Sequence, residues 1–263
     1  SMWVNVANAS YSVRPMSFDF ASGDRSHRKF TLYNTSKNTE FLQVELYRIY
    51  NKGTKEEKKE KIKPNEYKQY LLISPRKIKL LPKSKKKVRI LNLRAGTPDS
   101  LQSDEYYQIS VTPKLGEVKS KTKEGAISVK ISLVTQYELP ITMRARKPKA
   151  KLAYEYNYIN SEIILTNKGN TLVNIKKVIH CVNNECEPET NLGYGRIYPG
   201  ATKVLSKKDY YNGKLPLNIS YNHALGADNL HIPLAASAIP SNNPLIDSPV
   251  KSSKQPVIDA AVN

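Results

Sequence analysis

Turn-forming residues interrupt this sequence so often that a long helix has little room to form. Pro, Gly, Asn and Ser recur about every 8 to 12 residues, and the short apolar runs between them lack the 3.6-residue period of an amphipathic helix. Short strands at this spacing are typical of an antiparallel β-sandwich. The sequence therefore predicts an all-β fold.

The predicted strands fall into two sets, separated by a segment at 144–150 that holds four cationic residues and a proline, as a linker would. We expect a first immunoglobulin-like domain at 10–147, a smaller second one at 148–238, and a disordered Ser-, Asn- and Pro-rich tail at 239–263. Strands are predicted at 17–20, 28–34, 41–50, 71–74, 77–80, 87–93, 105–112 and 127–143 in the first domain, and at 151–158, 162–167, 172–181, 196–197, 202–205, 215–221 and 231–236 in the second.

The strand predicted at 127–143 has an unusual apolar face. Ile127, Val129, Ile131 and Leu133 alternate with polar residues, which is the two-residue period of a strand. Alternation alone favours packing in the domain's own core. However, this strand is much longer than the common length of about five or six residues, and long apolar edge strands are normally avoided because they recruit other chains. Donation of these side chains to another protein is therefore the alternative.

The chain is strongly basic. Its 42 Lys and Arg residues exceed its 23 Asp and Glu residues, so the formal net charge is +19, an excess that attracts anionic partners. The densest clusters, at 52–63 and 83–87, fall where hairpin turns are predicted, so a solvated rim is the plainer interpretation. Neither an aromatic and basic RNA platform nor a recognition helix accompanies the charge, and we expect no nucleic-acid partner.

Two cysteines, Cys181 and Cys186, flank four residues that include Asn-Asn. This spacing suits a disulfide across a tight hairpin, which persists in an oxidising compartment. Two free thiols in a reducing compartment remain the alternative. A metal site is not expected, because His180 is the only imidazole nearby.

Catalytic patterns are lacking in the sequence. The four histidines have no metal-ligand spacing, and no nucleophile motif or phosphate-binding loop occurs. Asp104 and Glu105 are adjacent, so on a strand they point to opposite faces and cannot act as a carboxylate pair. No run approaches the roughly 20 apolar residues of a membrane-spanning helix. We therefore expect no enzymatic activity, no cofactor and no insertion into a membrane.

Several short sequence phrases, taken in order, resemble the periplasmic pilus-assembly chaperones of the chaperone–usher pathway, and most closely their alternative or archaic branch. Together they run through most of residues 12 to 238. They are Phe30-Thr-Leu-Tyr-Asn34, Ile73-Ser-Pro-Arg-Lys-Ile-Lys-Leu-Leu-Pro82, Lys87-Val-Arg-Ile90, Leu139-Pro-Ile-Thr-Met-Arg144 and Ile164-Leu-Thr-Asn-Lys-Gly-Asn170.

The resemblance implies two immunoglobulin-like domains in a boomerang arrangement, located in the periplasm. Such a protein binds a fimbrial subunit that lacks its last strand, supplies a strand to complete it, and delivers it to an outer-membrane usher. On this sequence the donor residues would be Ile127, Val129, Ile131 and Leu133. Free chaperone could also self-associate through that strand.

The better-known branch of the family anchors the subunit's C-terminal carboxylate with an Arg and a Lys. Ser17 and Pro140 occupy those positions here, so the resemblance does not carry the anchor over. A desolvated carboxylate still requires cationic donors, for which Arg89, Arg144 and Lys147 are the candidates. Arg144 has a structural alternative, since the family pairs an Arg at this place with an acidic residue to fix the interdomain angle, and Glu105 lies at the acidic position.

A different class of function also suits modules of this kind. An immunoglobulin-like surface adhesin or fibre component would use the abundant tyrosines and the positive charge to bind a glycan or an anionic surface. The two hypotheses differ in that a chaperone forms a complex with a subunit, whereas an adhesin is found alone on the cell surface.

Overall fold

The computed structural model describes residues 10–21, 24, 27–93, 101–114, 135–183, 185–187, 195–209 and 214–233. The sequence-predicted donor residues Ile127, Val129, Ile131 and Leu133 lie outside the described residues, and so does the tail predicted at 239–263.

The first domain is a sandwich of a four-stranded and a six-stranded sheet. Its strands are β1 (Tyr11–Arg14), β2 (Phe18–Phe20), β3 (His27–Asn34), β4 (Glu40–Tyr50), β5 (Lys58–Lys61), β6 (Leu71–Ser74), β7 (Lys77–Leu80), β8 (Lys85–Asn92), β9 (Glu105–Pro113) and β10 (Tyr137–Met143). The four-stranded sheet has the order β1-β3-β8-β6, and the six-stranded sheet has the order β2-β10-β9-β4-β5, with β7 also paired to β4. All pairs are antiparallel except β2 with β10. A short 3₁₀ helix, Pro64–Gln69, precedes β6.

The second domain repeats this arrangement with fewer strands. They are β11 (Leu152–Asn157), β12 (Glu162–Asn167), β13 (Val173–Val182), β14 (Glu185–Cys186), β15 (Gly195–Ile197), β16 (Thr202–Leu205), β17 (Leu217–His223) and β18 (Gly226–Ile232), with a 3₁₀ turn at Lys207–Asp209. A three-stranded sheet has the order β11-β12-β16, and a five-stranded sheet has the order β14-β13-β17-β18, with β15 beside β13.

Alternating side chains build a separate core in each domain. In β3, for example, Phe30 and Leu32 are fully buried while Lys29 and Tyr33 are exposed. This is the pattern of a sheet that packs one face on the core and exposes the other to solvent. One hydrophobic cluster draws on residues 11–143 and the other on residues 152–232. The predicted fold class, two immunoglobulin-like β-sandwiches, is confirmed.

Each domain contains the same asparagine-anchored turn after a core strand. Asn34 donates from Nδ2 to the carbonyls of Asn38, four residues on, and of Leu80, at 2.7 and 3.0 Å. Asn167 donates to the carbonyls of Thr171, again four residues on, and of Ile197, at 2.8 and 2.9 Å. In both turns Oδ1 also accepts from the backbone N–H two residues later. Both side chains are buried, so each turn depends on a fully bonded polar group.

Most predicted strands are present, and four have the predicted bounds, namely β6, β7, β12 and β16. The prediction missed β1, β5 and β14 and placed the last strand at 231–236, whereas β18 is Gly226–Ile232. Of the strand predicted at 127–143, the described residues contain β10 from Tyr137 onward, and Thr135 and Gln136 are not part of it. β5 contains only Lys and Glu, and β18 is exposed along most of its length, so neither carries the apolar alternation on which the prediction relied.

No helix in the described ranges is long and apolar enough to cross a membrane.

Candidate functional site

The structure describes the chain again from Thr135, shortly after the predicted donor residues. The next strand, β10, belongs to the six-stranded sheet. Leu139, Ile141 and Met143 of this strand are almost fully buried in the first core. One edge of β10 pairs with β9 over the whole strand, from Tyr137 to Met143. The other edge pairs with β2 only from Ile141 onward, and at 137–140 it meets no strand in the described part of the chain. The backbone groups of that stretch therefore form an open sheet edge.

Two tyrosines hold the chain where it enters β10. The hydroxyl of Tyr11 donates to the carbonyls of Thr135 and Val111, at 2.8 and 3.0 Å, and Tyr137 donates to the carbonyl of Tyr11 at 2.9 Å. The rings meet edge to face with centroids 5.1 Å apart. Burial, together with the charges of Tyr137 and Glu40, raises the pKa of Tyr11 well above its usual range, so its proton stays available to donate. The position at which the chain joins the open edge is thereby fixed.

Arg144 follows β10 and binds two carboxylates. Its Nη2 lies 2.5 Å from Oδ2 of Asp19, and its Nη1 lies 3.0 Å from Oδ2 of Asp104. Burial works to lower the pKa of Arg144, but hydrogen bonds to both carboxylates and their charges raise it above its ordinary value. Arg144 is therefore held as a cation in a structural network.

Asp104 is the centre of the junction between the domains. Its side chain is fully buried, and besides Arg144 it accepts from the backbone N–H of Ala145 at 2.8 Å, from Thr171 Oγ1 at 3.0 Å and from the backbone N–H of Leu172 at 2.9 Å. A buried carboxylate is tolerated because these donors replace its water. One side chain thus joins the end of β10 to a loop of the second domain.

Asn170 makes the complementary connection from the second domain. Its Nδ2 donates to the carbonyls of Gln102 and Lys147, at 2.7 and 3.0 Å, and its Oδ1 accepts from the N–H of Lys149 at 2.6 Å. Its carbonyl accepts from the N–H of Asp104. The segment at 144–150, which the sequence predicted to be a linker, is consequently held to the second domain by hydrogen bonds between Asn170 and both Lys147 and Lys149.

A second contact between the domains is made by Tyr198, which lies before the turn at Gly200. Its ring meets Tyr106 edge to face, with centroids 4.9 Å apart, and the Lys52 ammonium lies 5.3 Å from its centre. Gly53 has a φ of +78°, and a Cβ built on it would lie 2.8 Å from Tyr198 Cδ2. Only glycine allows this approach without displacing the ring.

A cleft of about 460 Å³ lies beside this contact, bordered by residues 48–52, 101–106 and Pro199. Arg48 in its wall binds Glu105 at 3.0 Å and stacks over Tyr50, with its Cζ 4.7 Å from the ring centre. The two carboxylates of the cleft, Asp104 and Glu105, are thus each bound by an arginine. This cleft is organised by internal ion pairs.

The predicted salt bridge between Glu105 and Arg144 is corrected by one residue. Glu105 is bound by Arg48 and Tyr107, whereas the acidic residues bound by Arg144 are Asp104 and Asp19. Successive strand residues point to opposite faces, so Asp104 faces the second domain while Glu105 faces Arg48. The sequence identified the acidic pair, but only the strand register distinguishes its two members.

The three candidate anchor cations lie in different surroundings. Arg89 is exposed on β8, opposite Lys29 on one side and Ser74 on the other. Lys147 is exposed in the segment at 144–150, which follows β10. Arg144 is bound to two carboxylates, which favours a structural role over the role of an anchor.

Asp19 and Asn170 were missed because neither belongs to a pattern that a sequence reveals.

The predicted disulfide is present. Cys181 and Cys186 face each other across the β13–β14 hairpin, with Cα atoms 4.1 Å apart. Within the described ranges, no group of three or more His, Cys, Asp or Glu side chains is arranged to hold a metal ion.

Comparison with known proteins adds three similarities. No protein-family model matches the chain. In sequence it is 27% identical over 206 residues to a CS1 fimbrial subunit of Escherichia coli, covering 75% of this chain and 80% of that protein. Its fold is similar to the Class 5 fimbriae chaperone CfaA, with a TM-score of 0.60 and 19% identity over 84% of this chain and 98% of that chain. A chain from a chaperone–tip adhesin complex of CFA/I fimbriae biogenesis also gives 0.60, at 18% identity over 86% and 100% of the two chains.

These similarities agree with the resemblance found in the sequence. The matched structures span nearly the whole of their own chains, so both sandwiches are included. The chain has the two-domain fold of the pilus-assembly chaperones, and the expectation drawn from its sequence phrases is confirmed at that level.

Proposed function

We propose that this chain is a periplasmic chaperone that captures an incomplete fimbrial subunit, lends it a β-strand and passes it to an outer-membrane usher. The observation that carries the proposal is the open edge of β10 at 137–140, directly after the apolar alternation of Ile127, Val129, Ile131 and Leu133. An incomplete sandwich needs both a hydrogen-bonding edge and apolar side chains for its empty groove, and on this proposal neighbouring stretches of the chain supply the two.

Burial of the donor side chains supplies a non-covalent driving force for capture, for which side-chain burial sets an upper bound. Burial of four aliphatic side chains contributes about 1.5–3 kcal/mol each, or roughly 6–12 kcal/mol before the cost of association is subtracted. The proposed activity is therefore binding and transfer rather than catalysis. The same apolar alternation would allow two free chaperones to pair through their donor strands.

The similarity to fimbrial proteins supports the choice of partner. The relative in sequence is named as a fimbrial subunit, and the similar folds are described as fimbriae chaperones. The disulfide of Cys181 and Cys186 suits the oxidising periplasm. On this proposal the first domain comprises residues 10–147 and contains the donor strand. The second domain comprises residues 148–238, and residues 239–263 form a tail.

For the subunit's terminal carboxylate, we propose Arg89 and Lys147 as the candidate anchors. Both are exposed cations, and neither forms an ion pair with another of the residues that the structure describes. Arg144 is a weaker candidate, since a third carboxylate would compete with Asp19 and Asp104.

The test uses the full chain co-expressed with a fimbrial subunit from the same gene cluster. Ile131→Asp combined with Leu133→Asp should leave the chaperone folded, as judged by circular dichroism, but abolish co-purification of the subunit. The matched control is Ser128→Asp with Ser132→Asp, which adds the same charge to the opposite face of the strand. Retained capture by the Ile131 and Leu133 variant would refute strand donation. Unfolding of that variant alone would assign these side chains to the protein's own core.

A further inference from the structure

The outward face of the four-stranded sheet carries cations without carboxylates. Its inward positions are filled by residues of the first core, among them Phe30 and Val88. Its outward positions include five exposed cationic residues, and the four strands contain no Asp or Glu at all. The five are Arg14, Lys29, Lys85, Lys87 and Arg89. We call this surface the cationic face.

Strand register spreads these charges in two dimensions. Lys29 lies directly opposite Arg89, and Thr31 lies opposite Lys87 on one side and Arg14 on the other. Neighbouring strands are about 4.8 Å apart, so the charges of β1, β3 and β8 form a closely spaced patch. Like charges placed opposite each other destabilise a sheet, and this arrangement is therefore unfavourable for folding by itself.

The other sheet of the same domain treats its lysines differently. On the six-stranded sheet, Lys59 binds Glu138 at 3.0 Å and Lys61 binds Glu45 at 2.6 Å. On the cationic face, by contrast, no ion pair to any of the five residues occurs among the described parts of the chain. The positive charge is thus left uncompensated on one side of the domain, which favours a partner that supplies the negative charge.

We propose that the cationic face docks on the anionic phospholipid headgroups of a membrane surface. Headgroups present their charges across a plane, and the cationic face presents its charges across three adjacent strands of a broad sheet. Tyr33 is the single Phe, Tyr or Trp among the outward residues of these four strands, whereas single-stranded nucleic acid is held by a series of stacked aromatic side chains. Each Lys or Arg near an anionic bilayer strengthens binding roughly fivefold, and the net charge of +19 adds long-range attraction.

Such docking is peripheral and does not use the donor strand, although it would occupy Arg89, which we proposed above as a candidate anchor for the subunit carboxylate. No apolar side chain needs to enter the bilayer, so binding should fall steeply with salt as the charges are screened. The chain would be held close to a membrane while the open edge of β10, which belongs to the other sheet, remains accessible.

The test measures sedimentation of the full chain with vesicles of phosphatidylcholine, either pure or with about 30% phosphatidylglycerol. Lys85→Gln with Lys87→Gln removes two charges at alternate positions of β8. Lys77→Gln with Lys79→Gln removes two charges at alternate exposed positions of β7, in the other sheet. We expect binding only to the anionic vesicles, a loss of at least roughly tenfold for the β8 variant, and less than about twofold for the β7 variant.

Three results would overturn the proposal. Equal losses for the two variants would mean that net charge alone drives binding. Absence of binding to phosphatidylglycerol vesicles at low salt would remove the membrane as partner. The third result is that heparin, at a matched concentration of charge, displaces the chain from the vesicles and that the β8 substitutions weaken heparin binding as much as vesicle binding. The cationic face would then be assigned to a linear polyanion. If the β8 variant unfolds, Lys29→Gln is measured in its place, with an expected loss of roughly fivefold.

Discussion

The carboxylate of Asp104 accepts a hydrogen bond from the backbone N–H of Leu172 at 2.9 Å, so a side chain of the first domain completes a loop of the second. The same carboxylate binds Arg144 and Thr171. Asp19, the other acidic partner of Arg144, is half exposed. One arginine therefore joins a buried carboxylate, which holds the domains together, to a solvated one.

This difference predicts unequal costs for two equivalent substitutions. Asp104→Asn keeps the shape but removes the charge and places an amide N–H₂ against the N–H of Ala145 or, in the other orientation, against the donors of Arg144, Thr171 and Leu172. It should therefore lower the free energy of unfolding by about 2–4 kcal/mol. Asp19→Asn affects a solvated pair and should cost about 0–1 kcal/mol. Urea denaturation measures both. Similar losses would mean that the junction does not depend on Asp104.

The approach of Gly53 to Tyr198 predicts a second asymmetry. Gly53 and Gly200 have nearly the same backbone angle, with φ of +78° and +77°, but a Cβ at Gly200 would meet nothing within 4 Å. Gly200→Ala should therefore cost only the backbone penalty, about 1–2 kcal/mol. Gly53→Ala should cost more in thermal or urea unfolding, because Tyr198 must also move. In a Tyr198→Ala background the two substitutions should become equal; a persisting difference would contradict this account.

The two asparagine turns predict a large effect from a nearly isosteric change. Asn34→Asp or Asn167→Asp places an oxygen where Nδ2 donates to two carbonyls, so either should lower the free energy of unfolding by about 3 kcal/mol or more. Asn157→Asp is the control, because Asn157 uses its side-chain oxygen as acceptor for the N–H of Ile159, and aspartate retains that role. Losses at Asn34 and Asn167 no larger than at Asn157 would refute the role of these turns.

An ion pair on the edge strand β5 predicts a specific dependence on pH. The hydrogen bond and charge of Lys59 lower the pKa of Glu138 below its ordinary value of 4.5. The resulting stabilisation is present above about pH 4.5 and is lost as the pH falls through the lowered folded-state pKa. NMR titration of the Glu138 carboxyl should detect the lowered pKa. Lys59→Gln should return it towards the ordinary value and Lys77→Gln should not; no response to Lys59→Gln would contradict the pairing.

The sequence predicted those strands whose side chains alternate in burial. The bounds of β6 and β12 follow directly from the alternation of Ile73 and Ile163 with less buried neighbours. β5 could not be found in this way, because its pairing depends on β4 and its own residues are all charged. Local patterns identify strands that fill a core, but an edge strand is specified by the strand beside it.

The junction was less accessible to prediction for a related reason. Alternation required that Asp104 and Glu105 face opposite ways, but which of them faces the second domain depends on how β9 is aligned with β10. Asn170 binds the carbonyl of Gln102, 68 residues away in sequence. Contacts of this kind are made by loops without periodicity, so only the folded chain reveals them.

Asp104 and Asn170 each satisfy hydrogen-bonding groups of the opposite domain, and this has a consequence for cooperativity. If the chain were divided after residue 147, Asp104 would lose the donors of Thr171 and Leu172, and Asn170 would lose the carbonyls of Gln102 and Lys147. Each half would then contain polar groups whose partners in the other domain must be replaced by water. The two sandwiches have separate cores, but because of this shared junction we expect them to unfold cooperatively.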